Sequence, residues 1–189
     1  NRTGKLLYYR YKDSGLSEDV IRQADGKEQR YKRVIKERVY FDEETVRKFS
    51  LEKLRTPLPR VHGHFTSIDN YFFDYWGYFL GCEATALFAH LLRYTMNKDY
   101  CYPDMGLIAL KMGKSTKTIR TYMDKLEEYG FIYRFWVQNP ERNNVDEAPI
   151  IKVRKTIPLL SEDLIKQLPD RLREEHDKYL ESLTESYDI

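Results

Sequence analysis

The chain has 189 residues, of which 41% are apolar and 33% charged, with a formal net charge of +2. That supports one domain with appendages or two small ones, with a modest core under a heavily charged surface. Two cysteines, Cys82 and Cys101, make neither a disulfide framework nor a zinc set, and no run reaches the roughly 18 apolar residues of a membrane helix.

A reduced, cytoplasmic setting is the expectation. No secretory signal is visible, and the chain does not begin with Met, so it reads as trimmed or partial. Charge is unevenly spread. From Ser161 onward nine acids face four bases, a net −5, which leaves +7 on residues 1–160. A basic body with an acidic tail suits an anionic partner.

Residues 1–60 form a charged extension of mixed structure. Lys5–Lys12 has the pattern of a short strand, and Ser17 is placed to cap a helix holding Val20 and Ile21. Lys27–Arg38 carries six bases and two acids. Its Tyr31, Val34, Ile35 and Arg38, with Val39 just beyond, fit a helical period, while their β-branched and aromatic character fits a strand; both stay open. Asp42 with Glu43 and Glu44 reads as an N-cap and acidic first turn, starting a helix that carries Val46, Phe49 and Leu54 toward Thr56. Pro57 and Pro59 mark a linker. The extension is either a basic arm on phosphates or a solvated segment folded on the main domain.

His62-Gly63-His64 lacks the acid or cysteine that would complete a metal set. Combined with Tyr94 and Lys98 it touches the His-pair and Tyr pattern of rolling-circle nucleases. Gly63 stands where that pattern needs a hydrophobic residue, and Tyr94 falls on a helix needed for the core. With no phosphate loop and no nucleophile–base pair, the expectation is no enzyme, no metal and no cofactor. Ile68–Leu80 is densely aromatic, as core or dimer contact or as a platform for single-stranded bases. Glu83–Asn97 follows as a support helix with Ala84, Leu87, Phe88, Leu91, Leu92 and Thr95 on one face.

Tyr102–Ile132 is the organising stretch. Asp104 caps a helix whose apolar positions are Leu107, Ile108, Leu110 and Met112, with the small Ala109 allowing close crossing. Gly113 tolerates positive φ and Ser115 caps the next helix, where Ile119, Tyr122, Met123 and Leu126 recur as one buried face. Opposite stand Thr116, Lys117, Arg120, Thr121 and Lys125, hydroxyls and cations that suit a DNA major groove. Gly130 ends the helix. Phe131, Tyr133, Phe135 and Val137 then alternate with Ile132, Arg134 and Trp136 as a strand, and Gln138–Ala148 is a polar loop. Ile150–Ile157 returns as a second strand bearing Lys152, Arg154 and Lys155. Glu141, Asp146 and Glu147 make an acidic tip, a poor minor-groove probe. Ser161 caps a short helix ending at Pro169; Asp170 caps another with an apolar stripe of Leu172, His176, Tyr179, Leu180 and Leu183. That stripe docks on this chain, on a second copy or on a partner.

YPDMGLIALKMGKSTKTIRTYMDKLEEYGFI resembles the helix-turn-helix segment of Gram-positive plasmid, phage and mobile-element replication initiators and DnaD-like primosome components. The likeness rests on the Tyr-Pro entry, Ile108-Ala109, Gly113, Ser115, Thr118-Ile119, Leu126 and the Gly130-Phe131-Ile132 exit. FTSIDNYFFDYW and TIPLLSEDLIKQLPD look similar to its flanks, so roughly residues 65–170 are covered. The acidic tip departs from the basic wings of many relatives.

The fold expected is α+β, mostly α: a winged helix-turn-helix of three helices and a two-stranded wing at 61–157. Residues 1–60 extend it, and 158–189 are an acidic helical segment. The resemblance implies a non-catalytic, sequence-specific binder of double-stranded DNA in replication initiation. A transcriptional regulator or a replisome interaction module are the alternatives. Lys117, Arg120 and Thr121 would lie nearest the bases. Lys114, Ser115, Thr116, Lys125 and the wing-strand cations Arg134, Lys152 and Arg154 would hold phosphates. Replisome proteins and a second copy are the expected further partners, with no membrane.

Overall fold

In the computed structural model, which describes residues 5–187, the chain divides into two units, Asn1–Pro59 and Arg60–Ile189. The outermost residues of the expected extension (1–4) and tail (188–189) lie outside the described residues.

In the first unit, β1 (Tyr8–Ala24) and β2 (Lys27–Phe41) pair antiparallel from Tyr8↔Phe41 to Ala24↔Lys27. Asp25 and Gly26 turn the chain with φ of 53° and 73°, the left-handed pair that a two-residue hairpin needs and Asp-Gly supplies. This overturns the helix expected at Ser17. Ser17, Val20 and Ile21 pair instead with Val34, Tyr31 and Arg30, and Lys27–Arg38 is strand. The ladder slips between Asp13 and Ser17, where Gly15 takes φ 79°. Ser14 Oγ donates to the Ile35 carbonyl there, and Gly15 N–H to Asp13 Oδ1 at 2.7 Å. α1 (Glu43–Lys48) starts as expected, Asp42 Oδ1 accepting from Thr45 N–H at 2.7 Å. It ends at Lys48 rather than running toward Thr56, because Phe49 is extended and Ser50 opens a separate 3₁₀ turn, Leu51–Lys53. None of this unit's described residues is buried.

The second unit holds the core. Residues Phe72–Trp76 form a π-helical turn that runs into α2 (Gly77–Thr95), which is broken at Gly81 by φ 77° and ψ 166°. The aromatic stretch is therefore helical core: Tyr71, Phe72, Tyr75, Trp76, Phe79 and Leu80 are buried, while Phe73 and Tyr78 face out. Phe72, Phe88 and Phe131 meet with ring centroids 4.7 to 5.4 Å apart, within the range of favourable edge and offset contacts. α2 ends at Thr95, not Asn97.

Then come β3 (Tyr100–Cys101), α3 (Met105–Met112), α4 (Thr116–Glu128), β4 (Ile132–Asn139) and β5 (Val145–Val153), with sheet order β3-β5-β4. β3 was not expected. β5 also begins and ends earlier than the expected Ile150–Ile157, because Asn143 and Asn144 turn the chain with φ near +57° and Val145 already pairs with Asn139. α5 (Glu162–Gln167) and α6 (Asp170–Tyr187) belong to this unit rather than to a separate segment. Leu160, Leu168 and His176 are buried, and Trp76 Nε1 donates to the Pro158 carbonyl at 2.7 Å. The α6 stripe thus docks on its own chain.

That docking centres on one histidine. Leu160 N–H donates to Tyr71 Oη at 2.9 Å, and the same hydroxyl lies 2.7 Å from His176 Nε2. Tyr75 packs edge-on to the imidazole and donates to Glu175 at 3.4 Å, while Nδ1 has no partner among the described residues. Burial pushes the His176 pKa below its ordinary value against a weaker upward pull from Asp177. The folded imidazole is neutral at pH 7, whereas the unfolded one titrates near about 6.5. The unfolded chain therefore binds the extra proton, and stability is lost as pH falls through about 6.5 toward the depressed folded value. Denaturant midpoints should fall between pH 7.5 and 5.5 in the native chain and change less in His176→Gln; equal slopes would contradict this.

Candidate nucleic-acid interface

Short-range capping chemistry sets the geometry of α3 and α4. Asp104 Oδ1 accepts from Leu107 N–H at 3.0 Å. At the other end Gly113, at φ 65°, lets its own N–H reach Leu110 O at 3.1 Å and Lys114 N–H reach Ala109 O at 3.0 Å. That pair of hydrogen bonds closes α3 and aims the chain into a short turn. Ser115 Oγ then accepts from Thr118 N–H at 3.2 Å and opens α4. Gly130, at φ 76°, repeats the closure, with Phe131 N–H on Leu126 O at 2.9 Å.

α4 packs on α2, α3 and β4. Ile119, Met123 and Leu126 are buried and Tyr122 half-buried, as the period requires. α3 departs from expectation. It buries Ile108 and Ala109, with Met105 and Met112 half-buried beside them, while Leu107 and Leu110 face solvent, Leu110 at 79% exposure, because the inward stripe of i, i+3, i+4, i+7 starts at Met105 and both leucines lie off it.

The outward side of α4 carries Thr116, Lys117, Arg120, Thr121 and Lys125, all exposed, with Lys114 beside its start. Among the described residues, the four cations in this group make no ion pair or side-chain hydrogen bond, so each has its charge free for a ligand. The hydroxyls are less free. Ser115 is used as the cap, and Thr121 Oγ1 donates to the Thr118 carbonyl.

The wing-strand cations fare differently. Arg134, only 13% exposed in its side chain, pairs with Asp124 at 2.6 Å and Glu127 at 2.7 Å, and its own N–H donates to Glu127 Oε1 at 2.8 Å. It clamps β4 to α4 instead of presenting a free charge. Burial raises the Glu127 carboxyl, but hydrogen bonds from the Arg134 side chain and backbone outweigh it and hold the pKa below the ordinary value. Lys152 pairs with Asp99 at 2.7 Å. Arg154 lies just past β5, exposed, with Nε donating to the Gly130 carbonyl at 3.0 Å. Lys155 reaches Thr95 Oγ1 at 2.7 Å and Met96 O at 2.9 Å, closing the end of α2. At the tip, Arg142 pairs with Glu147, leaving Glu141 and Asp146 as the net charge.

Residues 80–132 match a family described as a helix-turn-helix domain. The chain carries this helix-turn-helix in α3 and α4, with most of α2 inside the match. Comparison with curated proteins and with solved structures gave no match.

The Arg134 clamp was legible in part, since Asp124 and Glu127 lie three apart on one helix; its β4 partner was not. No described helix is long and apolar enough to cross a membrane, and no group of three His, Cys, Asp or Glu among the described residues is arranged to hold a metal ion. His62 and His64 are exposed on a turn, and Tyr94 Oη accepts from Lys111 Nζ at 2.7 Å.

Arg134→Ala should leave a partly buried Glu127 carboxylate without its donors and cost on the order of 1–3 kcal/mol, read as a lower denaturant midpoint. Ser115→Ala should cost about 1 kcal/mol through the lost cap. An unchanged midpoint in either would contradict the assigned role.

Proposed function

We propose that the second unit is a winged-helix module that binds double-stranded DNA by laying α4 in the major groove. The observation that carries this is a helix anchored by Ile119, Met123 and Leu126, with Lys117, Arg120 and Lys125 unpaired on its far side. The order α2-β3-α3-α4-β4-β5, with β3 hydrogen-bonded to β5, supports the winged arrangement. Lys117, Arg120 and Thr121 are the base-reading residues in this account. Lys114, Thr116, Lys125 and Arg154 hold phosphates, with Ser115 aiding through its cap. Arg134 and Lys152 are left as scaffold because their charges are matched by neighbouring carboxylates. The tip, with its acidic excess, stands off the phosphates.

The module acts by binding rather than catalysis, and the setting proposed is replication initiation. What supports that setting is the likeness of the two flanks, residues 65–76 and 156–170, to replication proteins. The helix-turn-helix match itself fits a transcription regulator equally well. Selection of bound genomic fragments separates them: enrichment at an origin supports replication, and enrichment only at promoters overturns it.

Duplex binding across a salt series tests the interface. Each phosphate neutralised should add about −0.9 to the log–log slope. Arg120→Ala should cost about 1–3 kcal/mol and relax specificity at one position, while Lys125→Ala should weaken all sequences alike and flatten the slope by about one contact. Unchanged affinity in Lys117→Ala with Arg120→Ala would sink the assignment of α4.

A further inference from the structure

Most of the positive charge of residues 1–160 belongs to the first unit rather than to the helix-turn-helix unit. Residues 1–59 hold fifteen bases and ten acids, a net +5 out of the +7 carried by residues 1–160. Most of it lies on a two-stranded ribbon with no buried residue among those described, and such a ribbon gains little from its own packing.

The register sorts these charges onto faces. Residues directly opposite one another in an antiparallel pair share a face, and every second residue along a strand returns to it. Tyr9 is opposite Tyr40, Tyr11 opposite Arg38, Asp13 opposite Lys36, Asp19 opposite Lys32 and Ile21 opposite Arg30. β2 therefore lays Tyr40, Arg38, Lys36, Val34, Lys32 and Arg30 along one face, with Glu28 next on it, 4.0 Å from Arg30. At its open end three tyrosines cluster, with Tyr9 centred 5.5 Å from Tyr11 and 5.8 Å from Tyr40. The Arg38 guanidinium sits 4.6 Å from the Tyr9 ring centre. Tyr11 is 58% exposed and Tyr40 55%. α1 lies against the other face: Thr45 and Val46, with Phe49 just past the helix, line a recess with Tyr8 and Phe41, and of the tyrosine cluster only Tyr9 borders it.

Exposed aromatic rings beside a row of cations match what an unpaired nucleic-acid strand offers. Its bases have open π-faces for Tyr11 and Tyr40, and its phosphates meet Lys36, Lys32 and Arg30. A closed duplex has phosphates but no unstacked base for the rings. We propose that this face of the β1–β2 hairpin is a second nucleic-acid site, taking single-stranded DNA. The site goes beyond the α4 interface and does not depend on it. Asp13 and Asp19 oppose Lys36 and Lys32 on the same face, and so temper its non-specific hold on phosphates.

The test uses the full chain and a labelled oligothymidylate, with a blunt duplex in parallel. Tyr11→Ala and Tyr40→Ala should each weaken oligothymidylate binding about ten-fold, while Tyr11→Phe and Tyr40→Phe keep it. Lys117→Ala with Arg120→Ala should cut duplex binding and leave oligothymidylate binding intact, so the two sites fail separately. Photocrosslinks from bromodeoxyuridine in the oligomer should land on the hairpin tyrosines. Unchanged oligothymidylate affinity in the alanine variants overturns the proposal. So do crosslinks confined to residues outside β1 and β2, or a hairpin effect seen only on duplex.

Discussion

Burial of one side of α4 is the constraint from which the rest of the second unit follows. Ile119, Met123 and Leu126 lie at helical spacing and are fully or nearly fully buried, each contributing about 1.5–3 kcal/mol relative to exposure. No exposed polar contact on the opposite side approaches that total. Once those three face α2, Lys117, Arg120, Thr121 and Lys125 have nowhere to go but solvent. The caps at Ser115 and Gly130 fix where the helix starts and stops, and so which residues fall on each side. An apolar period thereby arranges the polar surface.

Electrostatics then refine that surface. α4 carries Asp124, Glu127 and Glu128 as well as its cations, which would repel a phosphate backbone if left open. Arg134 takes up two of these carboxylates and in doing so ties β4 to the helix. A residue that looks from sequence like one more cation for DNA instead removes negative charge from beside those that remain free. The acidic wing tip is uncompensated apart from the Arg142–Glu147 pair, which puts the proposed contact on α4 rather than on the hairpin tip.

Legibility followed the range of the interactions. Caps and closures are decided within five residues, so Asp42, Asp104, Gly113, Ser115, Gly130 and Ser161 could be read directly, and the period of α4 located its buried face. Asp25-Gly26 is equally local, a hairpin turn between two runs with β-branched and aromatic residues, and it is this turn that makes the first unit a ribbon. β3 is too short to carry a pattern; it exists because Tyr100 and Cys101 meet Lys152 and Ile151 of β5. Likewise the aromatic stretch is alike as core or as binding platform until Phe88 and Phe131 are known to close on Phe72. Arg134's role, the docking of α6 through His176 and the tyrosine face of the hairpin all join residues far apart in the chain or across a register, where local spacing carries no signal.

Titrating a duplex into isotope-labelled protein and following backbone amide shifts tests the proposed contact of DNA with the outward side of α4 most directly. The largest shifts should run from Lys114 to Lys125, with a smaller set near Arg154 and little change at Asp146 and Glu147. Shifts that leave α4 unmoved while the duplex is demonstrably bound would contradict it.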